Sequence, residues 1–439
     1  MDSDEDPCFK KRHLSLRSWR LCSENQTIVA RVYLIIAVLV RKGKDHIIRV
    51  EELVMNAEKI DITQKEEHFP VISDKDLDEL RKRIGIKITK TVEPWITEIN
   101  ADAIRHYAHG IGDDNPLWLD PEYAGKTHYG CIIAPQTILY ATNRVISGYV
   151  GGLPGIHAMF AGTNWRWYLP IVVGTKMHTE VYLKDLVEHD TNFALRAIQQ
   201  IYHGDFFNQQ GDKLAECDSW CFRTERGTAR ERGKKYEKVK ERKVYTDEEI
   251  AQIQEMYASE EVRGSVPRYW EDVSVGDELP PVAKGPMTVT GFLAYVQGWG
   301  GLYVRAHKLA FKLFSKHPGL AIPNSHNIPD VPERVHWEEE LAKAIGTPGA
   351  YDYGPERVSW MGHMMTNWIG DDGWLHRLDA KIVRHNPEGD FLTIRGKVVK
   401  KYQEGDRYCI DCDLLATNQD EEKSCVATAT AHLPSGEKS

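Results

Sequence analysis

The arrangement of apolar residues predicts the same series of elements in each half of the chain. A short helix is expected over 101–109, with Asn100 as its N-cap, followed by a longer helix from 138 to 149. In the second half the corresponding helices are expected over 287–296 and 355–369. Strand-like runs complete the two halves, at 164–168, 175–184, 192–202 and 213–223, and at 375–385, 393–401, 408–417 and 424–433. The repeat indicates two copies of one α+β unit.

The patterning also divides the chain into segments. They are an N-terminal extension expected to be poorly ordered (1–72), a first unit (73–225), a charged linker with a connecting helix (226–265) and a second unit (266–435). Thr246 and Glu249 form a capping box that opens the connecting helix. The second unit carries an insertion, 302–329, with a helical part that is expected to form a lid, the wall of an acyl tunnel or a surface decoration.

The composition excludes several classes of protein. A formal net charge of -9 argues against nucleic acid as a partner, because phosphate binding requires a basic surface. Eight cysteines in 439 residues are too few for a disulfide scaffold. The pairs Cys217/Cys221 and Cys409/Cys412 lie in apolar, strand-like runs, so we interpret them as core residues and expect no metal site. The apolar run 32–40 is shorter than the roughly 20 residues of a membrane span, so no span is expected.

One stretch of the first half carries a recognisable chemical signature. Residues 107–118 read Tyr-Ala-His-Gly-Ile-Gly-Asp-Asp-Asn-Pro-Leu-Trp, in which a helix runs into Gly112 and is followed by Asp113 and Asn115. The stretch resembles the hydratase signature of the MaoC-like, hotdog-fold enoyl-CoA hydratases. In those enzymes Gly-Asp-x-Asn-Pro-(Ile/Leu)-His supplies an Asp and a His that together activate a water. Trp118 stands at the His position here, and an indole does not take up a proton.

We therefore interpret the first copy of the signature as one that has lost catalysis. The entry to its long helix reads Ala134-Pro135-Gln136, and Pro135 has no N–H to offer to a thioester oxygen. Asp113 and Asn115 are expected to cap a helix or hold the loop, and seating the acyl chain is the alternative. Direct catalysis by Asp113 would require a His from elsewhere in the chain.

The second half keeps the histidine. His336 begins a stretch that resembles the His-x-Asp-Glu-x-x-Ala of the family, and the family's spacing from it reaches Gly354. The resemblance implies that the Gly354 N–H, at a helix start, binds the thioester oxygen. The family's Asp position is held by Val331, so Asp330 or Glu333 is expected to partner His336. A buried structural imidazole is the other interpretation of His336.

The resemblance is to the double-hotdog acyl dehydratases of the MaoC-like and FAS1-like type, and it covers about 75–435. It implies an α+β double hotdog, whose two sheets join edge to edge around central helices. It also implies reversible hydration of a 2-enoyl-CoA to a 3-hydroxyacyl-CoA, as in R-specific hydratases, with Glu333, Tyr353, Asp113 and Asn115 at the substrate. No metal or redox cofactor is implied, and coenzyme A enters only as part of the substrate.

The resemblance further implies a cytoplasmic protein that forms a homodimer of double hotdogs or associates with another hotdog subunit. Two other functions stay open at this point. A hotdog acyl-CoA thioesterase would use the same fold with a carboxylate facing the thioester carbonyl. A non-catalytic subunit that binds acyl groups or a catalytic partner is the other, because neither copy of the signature is intact.

Overall fold

The computed structural model describes residues 71–89, 93–148, 151–153, 156–189, 196–225 and 242–436. The predicted N-terminal extension lies outside the described residues except for Val71 and Ile72, and so does 226–241 of the predicted linker. The expected poor order of the extension therefore stays a prediction. Within the described ranges, no helix has the length and apolar character needed to cross a membrane.

The helices of the first half are α1 (Asp74–Arg81), α2 (Ala101–Ile111), α3 (Pro116–Leu119) and α4 (Pro121–Gly125). The predicted start of α2 is confirmed, since the Asn100 side chain accepts a hydrogen bond of 2.9 Å from the Ala103 N–H. The left-handed residue Gly112 ends the helix (φ 61°). This end places the signature loop directly after α2.

The predicted long helix of the first half is wrong. A 3-10 helix, Gln136–Ala141, is followed by turns. Asn143 Oδ1 accepts the Val145 N–H at 2.9 Å, and Ser147 Oγ donates to the carbonyl of Asn143 at 2.9 Å. Such local bonds from side chain to backbone compete with α-helical bonding. The helical spacing of the apolar residues does not reveal this competition.

The strands of the first half are β1 (Glu98–Ile99), β2 (His157–Trp167), β3 (Thr175–Lys176), β4 (His178–His189), β5 (Ala197–Phe207) and β6 (Lys213–Thr224). The four expected runs are present as β2, β4, β5 and β6, although β2 begins earlier than predicted. Cys217 and Cys221 of β6 are buried free thiols, as are Cys409 and Cys412 in the second half. Their interpretation as core residues is confirmed.

The second half contains the following elements: α5 (Asp247–Ala258), β7 (Glu278–Lys284), α6 (Val289–Trp299), α7 (His307–Lys316), β8 (Ile322–Pro323), β9 (Pro329–Asp330), α8 (Glu339–Ala344), α9 (Gly354–Ile369), β10 (Trp374–Ile382), β11 (Leu392–Glu404), β12 (Arg407–Asn418) and β13 (Lys423–Leu433), with 3-10 helices at Trp270–Asp272, Pro318–Leu320 and Pro332–His336. The capping box at Thr246 and Glu249 is present at the start of α5. The predicted helices of this half are therefore confirmed.

One antiparallel sheet of nine strands runs through both halves, in the order β4-β5-β6-β2-β10-β13-β12-β11-β7. The series β2-β6-β5-β4 and β10-β13-β12-β11 repeat one another, and β2 pairs with β10 through Trp165 and Leu378. The edge-to-edge joint and the double hotdog are thus confirmed. The edge strand β7 was not predicted, because it holds Pro280 and Pro281, which strands tolerate mainly at edges.

Helix α9 lies in the core, with 14 of its 16 residues buried, so the sheet wraps it as the hotdog fold requires. Helices α2 and α6 cross where glycine allows close approach. A Cβ at Gly110 would lie 3.0 Å from the Ala294 carbonyl oxygen, and one at Gly298 would lie 2.6 Å from the carbonyl oxygen of His106. The two crossing residues occupy the same position in the two helices, so the repeat extends to the helix pair.

The insertion of the second half folds around a small cluster of its own. Ala310 and Phe314 on the inner face of α7 pack against Val331. Leu309 and Phe311 of the same helix are exposed by more than half. The predicted helix is therefore confirmed.

Candidate functional site

His336 lies at the end of a 3-10 helix and is oriented by its neighbours. Its Nδ1 is 2.7 Å from the carbonyl oxygen of Tyr351, and its ring stacks on that of Tyr353 with centroids 3.7 Å apart. A carbonyl oxygen only accepts hydrogen bonds, so Nδ1 carries the ring proton and Nε2 is the basic nitrogen of the neutral imidazole. The arrangement leaves the protein with an oriented base at the N-cap of α9.

Gly354 is the first residue of α9, and Tyr353 is its N-cap. Helix starts carry backbone N–H groups without intrahelical acceptors and a partial positive charge. A side chain at Gly354 would collide with the ring of Phe160 from β2 of the other half. Packing between the halves therefore requires glycine here independently of any catalytic role.

Glu333 is buried, and its carboxylate ties down the start of the insertion. It accepts hydrogen bonds from the N–H of Leu302 at 2.8 Å and of Tyr303 at 2.7 Å, and from the Tyr353 hydroxyl at 3.2 Å. Burial raises the pKa of its carboxyl group. Asp330 accepts the Val331 N–H at 2.7 Å. Which of the two carboxylates partners His336 stays a prediction. The hydrogen bonds of Glu333 show that its carboxylate holds the backbone at the start of the insertion.

The signature loop of the first half is held by its own side chains. Asp113 Oδ1 accepts the N–H of Asn115 at 3.1 Å, and Asn115 Oδ1 accepts the N–H of Leu117 at 3.0 Å. Asn115 thereby caps α3. Both side chains are buried. The expected role in holding the loop and capping a helix is confirmed, and a contact with substrate stays a prediction.

A histidine from the other half reaches Asp113. His363 lies in the middle of the buried helix α9, with its Nε2 3.6 Å from Asp113 Oδ1 and 3.0 Å from Glu260 Oε1. The sequence offered no signal for this pair, because the two residues are far apart along the chain and belong to no shared motif.

Lys284, at the end of β7, completes this cluster. Its ammonium group donates to the carbonyl oxygens of Ile111 at 3.1 Å and Gly112 at 2.7 Å, and it lies 2.8 Å from His363 Nδ1. Burial lowers the pKa of Lys284. The other ring nitrogen of His363, Nε2, faces the carboxylates of Asp113 and Glu260 and lies 2.9 Å from the side-chain amide nitrogen of Asn367. The cluster thus ties the signature loop of the first half to two elements of the second.

Two small adjoining clefts lie beside this cluster. Trp118, Gln136, Thr366 and Leu375 line both, and Asp113 and His363 line the smaller one. Trp118 is buried, and its indole Nε1 has no hydrogen-bond partner among the residues that the structure describes. The clefts therefore contain an unused donor at the position where the signature normally has its histidine.

The start of the 3-10 helix faces the smaller cleft. Pro135 is its N-cap, so the first N–H of the helix belongs to Gln136. Gln136 has the same place relative to Trp118 as Gly354 has relative to His336. The expectation that Pro135 removes the N–H donor from this helix start is wrong, since the proline precedes the helix.

Among the described residues, one group has a geometry compatible with metal ligands, formed by His203, Asp205 and Glu216 on strands β5 and β6. The ammonium group of Lys213 lies 2.7 Å from Asp205 and 2.5 Å from Glu216. A cation is therefore already present between these carboxylates. None of these three residues is among those that line the two clefts.

The architecture is that of a double hotdog, and comparison with known proteins shows what the chain is similar to. Residues 86–216 match the family model described as FAS1-like, dehydratase domain region. A MaoC-like dehydratase structure covers 81% of this chain and 100% of its own, with a TM-score of 0.57 and 16% identity. A MaoC domain protein dehydratase from Chloroflexus aurantiacus covers 80% of this chain and 96% of its own, with a TM-score of 0.53 and 12% identity.

Two curated relatives are described as UPF0336 proteins. The relative from Streptomyces avermitilis is 38% identical over 53 residues, which are 12% of this chain and 35% of the relative. The relative from Saccharopolyspora erythraea is 28% identical over 94 residues, 20% of this chain and 60% of the relative. The matches confirm the resemblance to MaoC-like and FAS1-like dehydratases, by sequence over 86–216 and by fold over most of the chain.

Proposed function

We propose that the protein catalyses the reversible hydration of a 2-enoyl-CoA to a 3-hydroxyacyl-CoA. The observation that carries the proposal is the placement of His336, whose basic nitrogen is oriented by a carbonyl oxygen and whose ring stacks on the N-cap residue of α9. A base beside a helix N-terminus is the arrangement that addition of water to an unsaturated thioester needs. The family match supports the same class of reaction.

In the proposed reaction, His336 Nε2 takes a proton from water while the water oxygen bonds to C3 of the enoyl group. The electron pair of the double bond moves towards the thioester, and the Gly354 N–H stabilises the charge on the thioester oxygen. The proton then goes to C2, and the carbonyl re-forms. Asp330 or Glu333 would orient the imidazole, and Tyr353 would border the substrate.

This reaction needs no external oxidant or reductant, because the electron pair that leaves the double bond returns to form the C2–H bond. Coenzyme A then enters only as part of the substrate. A cytoplasmic location and assembly as a homodimer of double hotdogs, or with another hotdog subunit, stay predictions.

The test follows the loss of enoyl-thioester absorbance over a panel of short, long, branched and aromatic 2-enoyl-CoAs. His336→Ala should lower the turnover number by at least about a hundredfold, the usual scale of proton-transfer catalysis, without changing the melting temperature. The matched control is His326→Ala, which makes the same change at an exposed histidine of the insertion. A native rate in the His336 variant would show that the second half is not the catalytic half.

Two further variants identify the partner of His336. If Asp330 is the partner, Asp330→Asn should come close to the loss seen for His336→Ala, and Glu333→Gln should be mild. The reverse order assigns the partner to Glu333. Free coenzyme A, read in parallel with a thiol reagent, should not accumulate. Its release at the rate of substrate loss would indicate the thioesterase instead.

A further inference from the structure

The smaller cleft, beside Trp118, contains three groups that acid/base chemistry on a thioester uses. Asp113 is a buried carboxylate from the signature loop, and Gln136 supplies the first N–H of a helix. Trp118 offers an indole N–H without a partner among the described residues. The histidine that the signature lacks is replaced in space by His363, 3.6 Å from Asp113.

We infer that this cleft is a second hydration site for a 2-enoyl thioester, in which Asp113 transfers the proton and His363 of the other half positions it. The inference rests on the proposed function for the class of substrate, but it assigns a separate site to the half that lacks the signature histidine. The indole of Trp118 resembles that histidine in having an N–H that can donate a hydrogen bond. It differs from the histidine in that it cannot accept a proton.

In the reaction proposed for this site, one carboxylate both takes the proton and returns it. The Trp118 N–H holds the water oxygen, and Asp113 takes a proton from that water while its oxygen bonds to C3. The electron pair of the C2=C3 bond moves to the thioester oxygen, where the Gln136 N–H stabilises the charge. Asp113 then returns the proton to C2 and the carbonyl re-forms. The net change is the addition of one water, and the carboxylate ends as it began.

The surroundings explain why a buried carboxylate is tolerated at this place. Lys284 of β7 supplies a positive charge, which His363 connects to Asp113 and Glu260 through its two ring nitrogens. The other ionisable groups near Lys284 are Glu356 of α9 and Asp114. Burial raises the pKa of Glu356 well above its ordinary value. A buried anion needs such a paired cation.

The first experiment detects the site without turnover, with the saturated thioester butyryl-CoA as the calorimetric probe. Gly362 lines the smaller cleft, and a Cβ there would make only an ordinary contact of 3.7 Å with Thr137. Gly362→Ala should therefore leave the number of bound butyryl-CoA molecules unchanged. Gly362→Leu, which fills the cleft, should lower it by one per chain. Equal stoichiometry in both variants would overturn the second site.

The second experiment measures hydration in the wild type, His336→Ala, Asp113→Asn and the double variant. The rate that remains in His336→Ala should fall at least about a hundredfold on adding Asp113→Asn, while Asp114→Asn, the same change at the exposed neighbour, should leave it unaffected. If His336→Ala alone removes all hydration and Asp113→Asn none, the inference fails while the proposed function stands. A wild type that hydrates no 2-enoyl-CoA would refute the proposed function, and the inference with it.

The positioning role of His363 has its own measurement. His363→Gln keeps a hydrogen-bonding side chain at this position. If His363 positions Asp113, His363→Gln should retain more of the Asp113-dependent rate than His363→Ala does, and both variants should lower the turnover number without raising the KM for the enoyl thioester. A purely structural histidine would lower the melting temperature of both variants and leave their Asp113-dependent turnover number unchanged, and that result would remove His363 from the proposed site.

Discussion

We expect Gly298→Ala to force apart helices α2 and α6. A Cβ at this position would lie 2.6 Å from the carbonyl oxygen of His106 and 2.8 Å from the Cα of Tyr107. Both are backbone atoms of the opposing helix, which cannot move aside as a side chain can. Because α2 ends at Ile111, two residues before Asp113, parting the helices should also disturb the signature loop.

The magnitude follows from these distances. Overpacking in a core costs about 1–3 kcal/mol, and two backbone atoms below 3 Å place Gly298→Ala at the upper end. The gain in helix propensity from glycine to alanine returns about 1 kcal/mol, which leaves a net loss of about 2 kcal/mol. At Gly110 the corresponding distances are 3.0 and 3.1 Å. Gly110→Ala should cost about 1 kcal/mol, which the propensity gain offsets.

The assay is thermal unfolding of the full chain, with Gly291→Ala as the matched control in the same helix. A Cβ at Gly291 would meet only the Thr288 hydroxyl, at 3.4 Å. For a folded unit of this size, a loss of about 2 kcal/mol should lower the melting temperature by about 2–3 °C, since the entropy of unfolding scales with length. Equal melting temperatures for the variants at 298 and 291 would refute the packing argument.

Three further predictions concern charged groups. Lys284→Met should destabilise the protein by about 3–5 kcal/mol, because it leaves buried anions unpaired, and a melting temperature within 1 °C or so of the wild type would contradict this. Glu333→Ala should leave the backbone N–H groups of Leu302 and Tyr303 without their acceptor, at a cost of about 1–3 kcal/mol each, and should speed their hydrogen exchange. Unchanged exchange rates would show that Glu333 does not hold these two amides. The hydrogen bond that the His203 ring donates to the Asp218 carboxylate raises the pKa of His203. The stability that protonated His203 contributes is therefore complete below the unfolded-state pKa of about 6.5, and it is lost as the pH rises through the raised pKa of the folded state. His203→Gln should flatten the loss of stability over that range, and urea midpoints measured between acidic and neutral pH would show whether it does.

Much of the fold could be predicted because its determinants are local. The Asn100 cap and the capping box at Thr246 act over three residues, and the alternation along strands such as β12 reflects a sheet with one buried face. The repeat of these patterns was enough to predict two copies of one α+β unit, and the resemblance to the MaoC-like and FAS1-like dehydratases implied that they are hotdog units joined at their edges. Local patterns failed in the first half after Gln136, where polar side chains bind the backbone and no α-helix forms.

The residues of the candidate site could likewise be predicted from the sequence only in part. His336, Gly354 and the signature loop could be found because each lies at a fixed spacing within a motif, and Asn115 caps its helix through a bond between near neighbours. The pairing of Asp113 with His363 and Lys284 could not be found from the sequence. The three residues lie on separate elements, and only the wrapping of the sheet around α9 brings them to one cleft.

The amino-acid sequence by itself therefore determined the repeat, the order of elements and the residues that resemble a hydratase signature, because each depends on neighbours within a turn or a strand. The tertiary structure decided which charged groups meet. Lys284 and Asp113 are buried where a lone charge would be unstable, and each is tolerated only because folding supplies its partners from the other half of the chain.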